Sequence, residues 1–177
     1  HAAIGEPDFE GLLQWARDGD VIALGDLQIH PFTVPHDARE PLQLHCTDGA
    51  SRLGILTDLG HITSHVRDHL AGCGSLLLEC NHDSQMLADG PYPLFLKRRV
   101  GGDWGHLANE MAAEMAATLV PTGLHQVVAA HLSETNNHPT LVRAALGTGS
   151  ASIGGLVAWT LGLAACTGGT KSSTWSQ

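Results

Sequence analysis

The ten residues 54–63, GILTDLGHIT, pass from an apolar, β-branched run through Asp58 and Gly60 into a second apolar register. Leu53, Ile55 and Leu56 with Thr57 suit a strand, and Asp58-Leu59-Gly60 supplies the punctuation that ends it. From Ile62 to Leu70 the apolar spacing changes to that of a helix. The unit is therefore strand, turn, helix, with a carboxylate at the joint.

The same alternation extends in both directions. Downstream, 75–80 is a largely apolar run of the kind covered on both faces of a sheet, 107–119 is an Ala/Met-rich helix, and 127–130 is another short buried strand. Upstream, 21–24 and 27–34 read as strands, Asp48-Gly49 as a hairpin turn, and 7–18 as a helix with Phe9, Leu12, Leu13 and Ala16 on one face. Sheet, helix, strand, helix, strand without an internal repeat is an α/β pattern. Beyond Ala145 the composition turns to Gly, Ser, Thr and Ala, and no element is assigned there.

A chain of 177 residues with 43% hydrophobic and 15% charged residues has the composition of one folded domain, or part of one. Its net charge of −9 excludes a broadly phosphate-binding surface, so a nucleic acid needs local attraction from the cluster Lys97, Arg98 and Arg99 or from bound cations. Cys46, Cys73, Cys80 and Cys166 have neither CxxC nor zinc-ribbon spacing, which predicts buried thiols and a cytoplasmic setting. The uncharged stretch 148–170 is broken by glycines and its apolar part, 153–166, is shorter than the roughly 20 residues of a membrane span, so a soluble protein is expected.

The chemistry gathers where strands end. His36, Asp58, His82 and His131 each follow a predicted strand, and strand ends of α/β sheets converge on one ligand-binding edge. Imidazoles with a carboxylate match the donors of zinc or manganese. The ordinary alternative stands beside this: a lone histidine at a strand end is most often structural, and Asp58 could simply be a turn former before Gly60. His30, His45, His61, His125 and His138 belong to that ordinary class. The i, i+4 pair His65/His69 belongs there too: its spacing could bind a metal, but it lacks the glutamate of HExxH.

The strings PFTVPHDAREP (31–41), GILTDLGHIT, LLLECNHDSQML (76–87), GPYPLFLKRRV (90–100), GHLANEMAAE (105–114) and AHLSETNNHP (130–139) together resemble the YycJ/WalJ-type branch of the metallo-β-lactamase-fold hydrolases, over residues 2–145. That resemblance implies an αββα sandwich, of which this chain holds mainly the carboxyl-terminal half. It implies two divalent ions, zinc or manganese, with His36, Asp58 and His131 as ligands, Asp58 bridging, and His106 assisting proton transfer to the leaving group. His82, Asp83, Asn136 and Asn137 are implied to line the site mouth, and Lys97 and Arg98 to hold a substrate backbone.

The expected activity is that of a metal-dependent phosphodiesterase, a DNA exonuclease in the complete protein. Alternatives are a hydrolase of small esters, lactones or cyclic phosphodiesters on the same fold, or a non-catalytic remnant. The HxHxDH motif that the family places earlier occurs nowhere in the chain. Residues 1–146 are accordingly expected to be a partial domain with an incomplete site, and 147–177 a divergent tail. An open half-sheet would also invite pairing with a second copy.

Overall fold

The computed structural model describes residues 15–149 and the backbone of 155–156. Strands β1 (Ile22–Leu24), β2 (Leu27–Thr33), β3 (Leu42–Thr47) and β4 (Arg52–Leu56) precede helix α1 (Ser64–Leu70) and strand β5 (Ser75–Glu79). Helices α2 (Ser84–Asp89), α3 (Leu94–Val100) and α4 (Asn109–Leu119), with a 3-10 turn at Val120–Thr122, lead to β6 (Gln126–Ala130), α5 (Pro139–Gly149) and β7 (Gly155–Leu156). The described strands form one sheet in the order β1-β2-β3-β4-β5-β6-β7. Neighbours are antiparallel from β1 to β4 and parallel from β4 onward.

This topology decides where the strand ends lie. β2 and β4 both run antiparallel to β3 and hence parallel to each other, and β5 and β6 continue in that direction. The carboxyl ends of β2, β4, β5 and β6 therefore share one edge, which collects His36, Asp58, Glu79 and His131.

One sheet face carries the core. Leu56, Leu78 and Ala129 stand in register across β4, β5 and β6, as do Gly54, Leu76 and Val127, and the five larger side chains of these two rows are buried. Val66 and Leu70 of α1, and Ala112, Met115, Ala116 and Leu119 of α4, complete the same cluster at helical spacing. Burying each large apolar side chain contributes about 1.5–3 kcal/mol. Gly54 permits this packing, because a Cβ there would sit 2.5 Å from Leu70 Cδ2 and 2.9 Å from Leu76 Cδ1. On the opposite face Leu44, Ile55, Leu77 and Val128 form an apolar row that is only half-buried.

Local signals explain the joints. Asp48 Oδ1 accepts the amides of Ala50 (2.9 Å) and Ser51 (2.7 Å), and Gly49 takes φ +90°, which makes the β3–β4 hairpin. Thr63 caps α1 by accepting the Val66 amide, and Asp83 caps α2 by accepting that of Met86. Several elements were not anticipated from sequence: β3, α2, α3 and α5. Of the helix expected over 7–18, residues 7–14 lie outside the described residues, and 15–18 are not helical but lead into the turn at Asp18-Gly19. Most of the expected tail, 147–177, also lies outside them, while α5 runs to Gly149.

Candidate functional site

Asp58, Glu79, His106 and His131 come together at the shared strand edge, each offering a potential ligand atom within 4.8 Å of the others. Glu79 is the centre of this group. Its side chain is fully buried, and Oε1 accepts Nδ1–H of His106 (2.9 Å) and of His131 (2.6 Å). Oε2 accepts the amides of Leu59 and Leu107, both at 3.2 Å. Burial works against its ionisation, but the hydrogen bonds and charges of His106 and His131 outweigh that and hold the carboxyl below its usual range.

Those contacts also set the histidines. With Nδ1–H given to Glu79, each ring leaves Nε2 as its second nitrogen, the arrangement by which a carboxylate orients a metal-binding or proton-transferring imidazole. The Glu79 hydrogen bond raises the pKa of His131 above the ordinary histidine value, against the effect of burial. Asp58 is more exposed, with Oδ1 3.6 Å from His131 Nδ1 and 3.8 Å from His106 Nδ1.

Backbone strain singles out the same residues. Asp58 (φ +52°) and His131 (φ +55°) are the non-glycine residues in the left-handed region among the described residues. Such conformations are disfavoured for L-residues and persist where the surroundings enforce them, which happens preferentially at functional sites. The Asn81 side-chain amide donates to the His131 carbonyl (3.0 Å), and the Asn81 carbonyl accepts the Ser133 amide (2.8 Å), fixing the turn after β6. The loop that delivers His106 is held by close backbone approach. A Cβ on Gly105 would lie 2.1 Å from the Arg99 carbonyl oxygen, and one on Gly60 2.2 Å from Asp103.

His36 stands beside this group rather than within it. Its Nδ1 lies 3.1 Å from the Gly105 carbonyl and its ring centroid 5.4 Å from that of His106, while Arg99 pins the adjacent Asp37 through a 2.7 Å ion pair. The other expected site residues are placed as follows. His82 is buried, with Nδ1 lacking a hydrogen-bond partner. The Asp83 carboxylate is engaged as the α2 cap. Asn136 is buried against Ser133, and Asn137 exchanges side-chain hydrogen bonds with Asn109 and donates to the Cys80 carbonyl. Lys97 Nζ donates to the Ala88 carbonyl at 2.5 Å, whereas Arg98 is exposed.

Sequence reasoning passed over Glu79. Its signal was present: a lone acid ends the apolar strand Ser-Leu-Leu-Leu-Glu, and a carboxylate there must be paired or neutralised once buried.

Relatives by sequence carry names that agree with this geometry. Exodeoxyribonuclease YycJ of Bacillus anthracis is 36% identical over 125 residues, 71% of this chain and 47% of that protein. Exodeoxyribonuclease WalJ of Streptococcus pneumoniae is 32% identical over 129 residues, 70% of this chain and 48% of that protein. This is a YycJ-like protein of the metallo-β-lactamase fold. The chain spans about half the length of the curated relatives it matches.

Solved structures support the fold. The metallo-β-lactamase-fold protein YhfI of Bacillus subtilis superposes with a TM-score of 0.62 at 17% identity, covering 84% of this chain and 56% of that one. Zinc-bound PqqB of Methylobacterium extorquens gives 0.54 at 18% identity, covering 82% and 53%. No family model matches the chain. The donor cluster, together with this fold, supports divalent-metal binding at the strand edge. No helix among the described residues is long and apolar enough to cross a membrane.

Proposed function

We propose that the chain carries the carboxyl-terminal part of a metal-dependent phosphodiesterase that acts as a DNA exonuclease in its full-length form. Residues 1–146 form a partial metallo-β-lactamase-fold domain in this proposal, and 147–177 a divergent tail. The observation that carries it is the convergence of strained Asp58 and His131 with His106 around the buried Glu79 carboxylate. The names of the two relatives supply the substrate class.

The donor set fits a divalent cation: Asp58 has a carboxylate oxygen not committed to a backbone amide, and Glu79 turns the Nε2 side of His131 away from itself. His36, Asp58 and His131 would hold two ions, zinc or manganese, together with donors from an HxHxDH segment. When bound, such ions lower the pKa of a water and offset phosphate charge. His106, with Nδ1 fixed by Glu79, presents Nε2 to donate a proton to the departing alkoxide oxygen. Lys97 and Arg98 would hold the phosphate backbone in this proposal, and His82, Asp83, Asn136 and Asn137 would line the site mouth.

The isolated chain is expected to turn over DNA poorly, because three metal ligands cannot close a two-ion site. The test measures metal content and hydrolysis of end-labelled double-stranded DNA and bis(p-nitrophenyl) phosphate. It compares the 177-residue chain with a chimaera that restores the HxHxDH-bearing half of the Bacillus anthracis relative. Restored turnover that drops by about 10²–10⁴ in His106→Gln supports the proposal. Brisk two-metal turnover by the isolated chain overturns the incomplete-site expectation, and a chimaera that fails to hydrolyse either substrate, or is indifferent to His106, overturns the proposal.

A further inference from the structure

A second cluster of imidazoles lies away from the strand-edge site, between α1 and the strands β2 and β3. His65 and His69, one helical turn apart on α1, face Asp18 in the turn before β1: His65 Nε2 is 2.8 Å from Asp18 Oδ2, and His69 Nε2 is 4.0 Å from Asp18 Oδ1. All three potential ligand atoms fall within 4.8 Å of one another. A cavity of about 480 Å³ opens beside them, lined by His30, His45, Arg52, His65 and His69 among others.

We propose that Asp18, His65 and His69 form a second divalent-cation site of zinc type, which ties helix α1 to the turn preceding β1. Two imidazoles at i, i+4 and one carboxylate make a three-ligand set that leaves the fourth tetrahedral position to water. The set is pre-organised. The Thr33 amide donates to Asp18 Oδ2 at 3.0 Å and the Thr33 hydroxyl donates to the same oxygen, so Oδ1 is left toward His69.

The His69 ring stacks on Phe32 with centroids 4.8 Å apart and meets His65 edge-on at 4.5 Å, which fixes its plane.

Among the described residues lining the cavity Arg52 is the one unfavourable charge, and it is engaged elsewhere. Its Nη1 donates to the Ala71 carbonyl (3.0 Å), and its Nη2 to the His69 carbonyl (3.1 Å) and to His45 Nε2 (2.7 Å). The guanidinium is thereby drawn to the carboxyl end of α1, while the ligand atoms face Asp18. This site shares no residue with the Asp58 group, so its fate is independent of the proposed nuclease activity.

The test titrates zinc into the full 177-residue chain by equilibrium dialysis, follows imidazole resonances by NMR, and repeats both with His65→Gln/His69→Gln and with Asp18→Asn. The expected result is that each variant loses one zinc equivalent or weakens that class at least tenfold, and that zinc shifts the His65 and His69 resonances in the parent chain. Asp18→Asn keeps the side-chain shape and serves if the double variant does not fold. Unchanged stoichiometry and affinity in Asp18→Asn, or zinc-dependent shifts confined to His106 and His131, overturn the proposal.

Discussion

Glu79→Gln should be the most damaging isosteric change in the molecule. The carboxylate accepts four hydrogen bonds, two from imidazole Nδ1–H at Oε1 and two from the amides of Leu59 and Leu107 at Oε2, with no exposure to water. A glutamine has one oxygen and one NH2. Turned either way, it sets two donors against its own amide hydrogens, and it no longer charges the bonds that remain. Hydrogen bonds to a charged group contribute about 1.5–3 kcal/mol each, so losing two of them gives about 3–6 kcal/mol of destabilisation, close to the roughly 3–5 kcal/mol for breaking a buried ion pair. Urea unfolding of the metal-free chain near pH 6 measures it. The sign with pH is definite. The lowered Glu79 pKa contributes stability present above the unfolded carboxyl value, about 4.3, and lost as pH falls through the folded one. The raised His131 pKa contributes stability present below the unfolded value, about 6.5, and lost as pH rises through the folded one. The difference between parent and variant should therefore be greatest between those two values. A variant within about 0.5 kcal/mol of the parent, the scale of ordinary surface changes, with an unaltered His131 titration by NMR, would refute the reasoning.

Further outcomes follow from the same geometry. Gly105→Ala places a Cβ 2.1 Å from the Arg99 carbonyl, so it should destabilise by about 1–3 kcal/mol and displace His106, seen as a changed His106 resonance alongside a lower urea midpoint. Asp58→Asn, which tolerates the left-handed backbone, should leave the unfolding midpoint nearly unchanged while weakening divalent-metal binding at least about tenfold, or about 1.4 kcal/mol, in calorimetry; Asp58→Val should lose both. Burial, then Arg52, pushes the His45 pKa down to about 4, so its contribution is present above the unfolded value near 6.5 and disappears as pH falls through about 4. Unfolding curves of His45→Gln between pH 4 and 7 should be flatter than the parent's.

Much of the fold was legible because its elements announce themselves locally. The apolar run at 75–80 and the strand-turn-helix at 54–63 have unambiguous periodicity, and Asp48-Gly49 specifies its hairpin. β3 was less visible because Leu42-Gln43-Leu44-His45-Cys46-Thr47 gains its meaning from partners: His45 is buried by stacking on His30 and by Arg52, a residue seven positions on. The helices α2 and α3 are one to two turns long, and their start signals, an Asp83 cap and Pro93, are common in loops as well.

The candidate site was singled out for a different reason. His36, Asp58 and His131 follow strands, while His106 and the role expected of each residue came from the family resemblance. Glu79 and the buried amides cannot be read in that way, since their roles exist only through contacts 27 to 57 positions away in the chain, from Glu79 to His106 and from Cys80 to Asn137. Asp83 and Asn137 look in sequence like polar groups available to a ligand, and the fold also uses them internally, Asp83 as the α2 cap and Asn137 in reciprocal amide bonds with Asn109, whereas Asn136 Oδ1 is buried without a hydrogen-bond partner. Chemistry-bearing residue types at strand ends therefore locate a site, but which of them face a ligand is decided by whose hydrogen bonds are already satisfied. By that criterion His106 and His131, each with one ring nitrogen committed to Glu79 and one remaining, are equipped for work at the edge, whereas Asn137, with Nδ2 given to Cys80 and Asn109, is equipped to hold that edge in place.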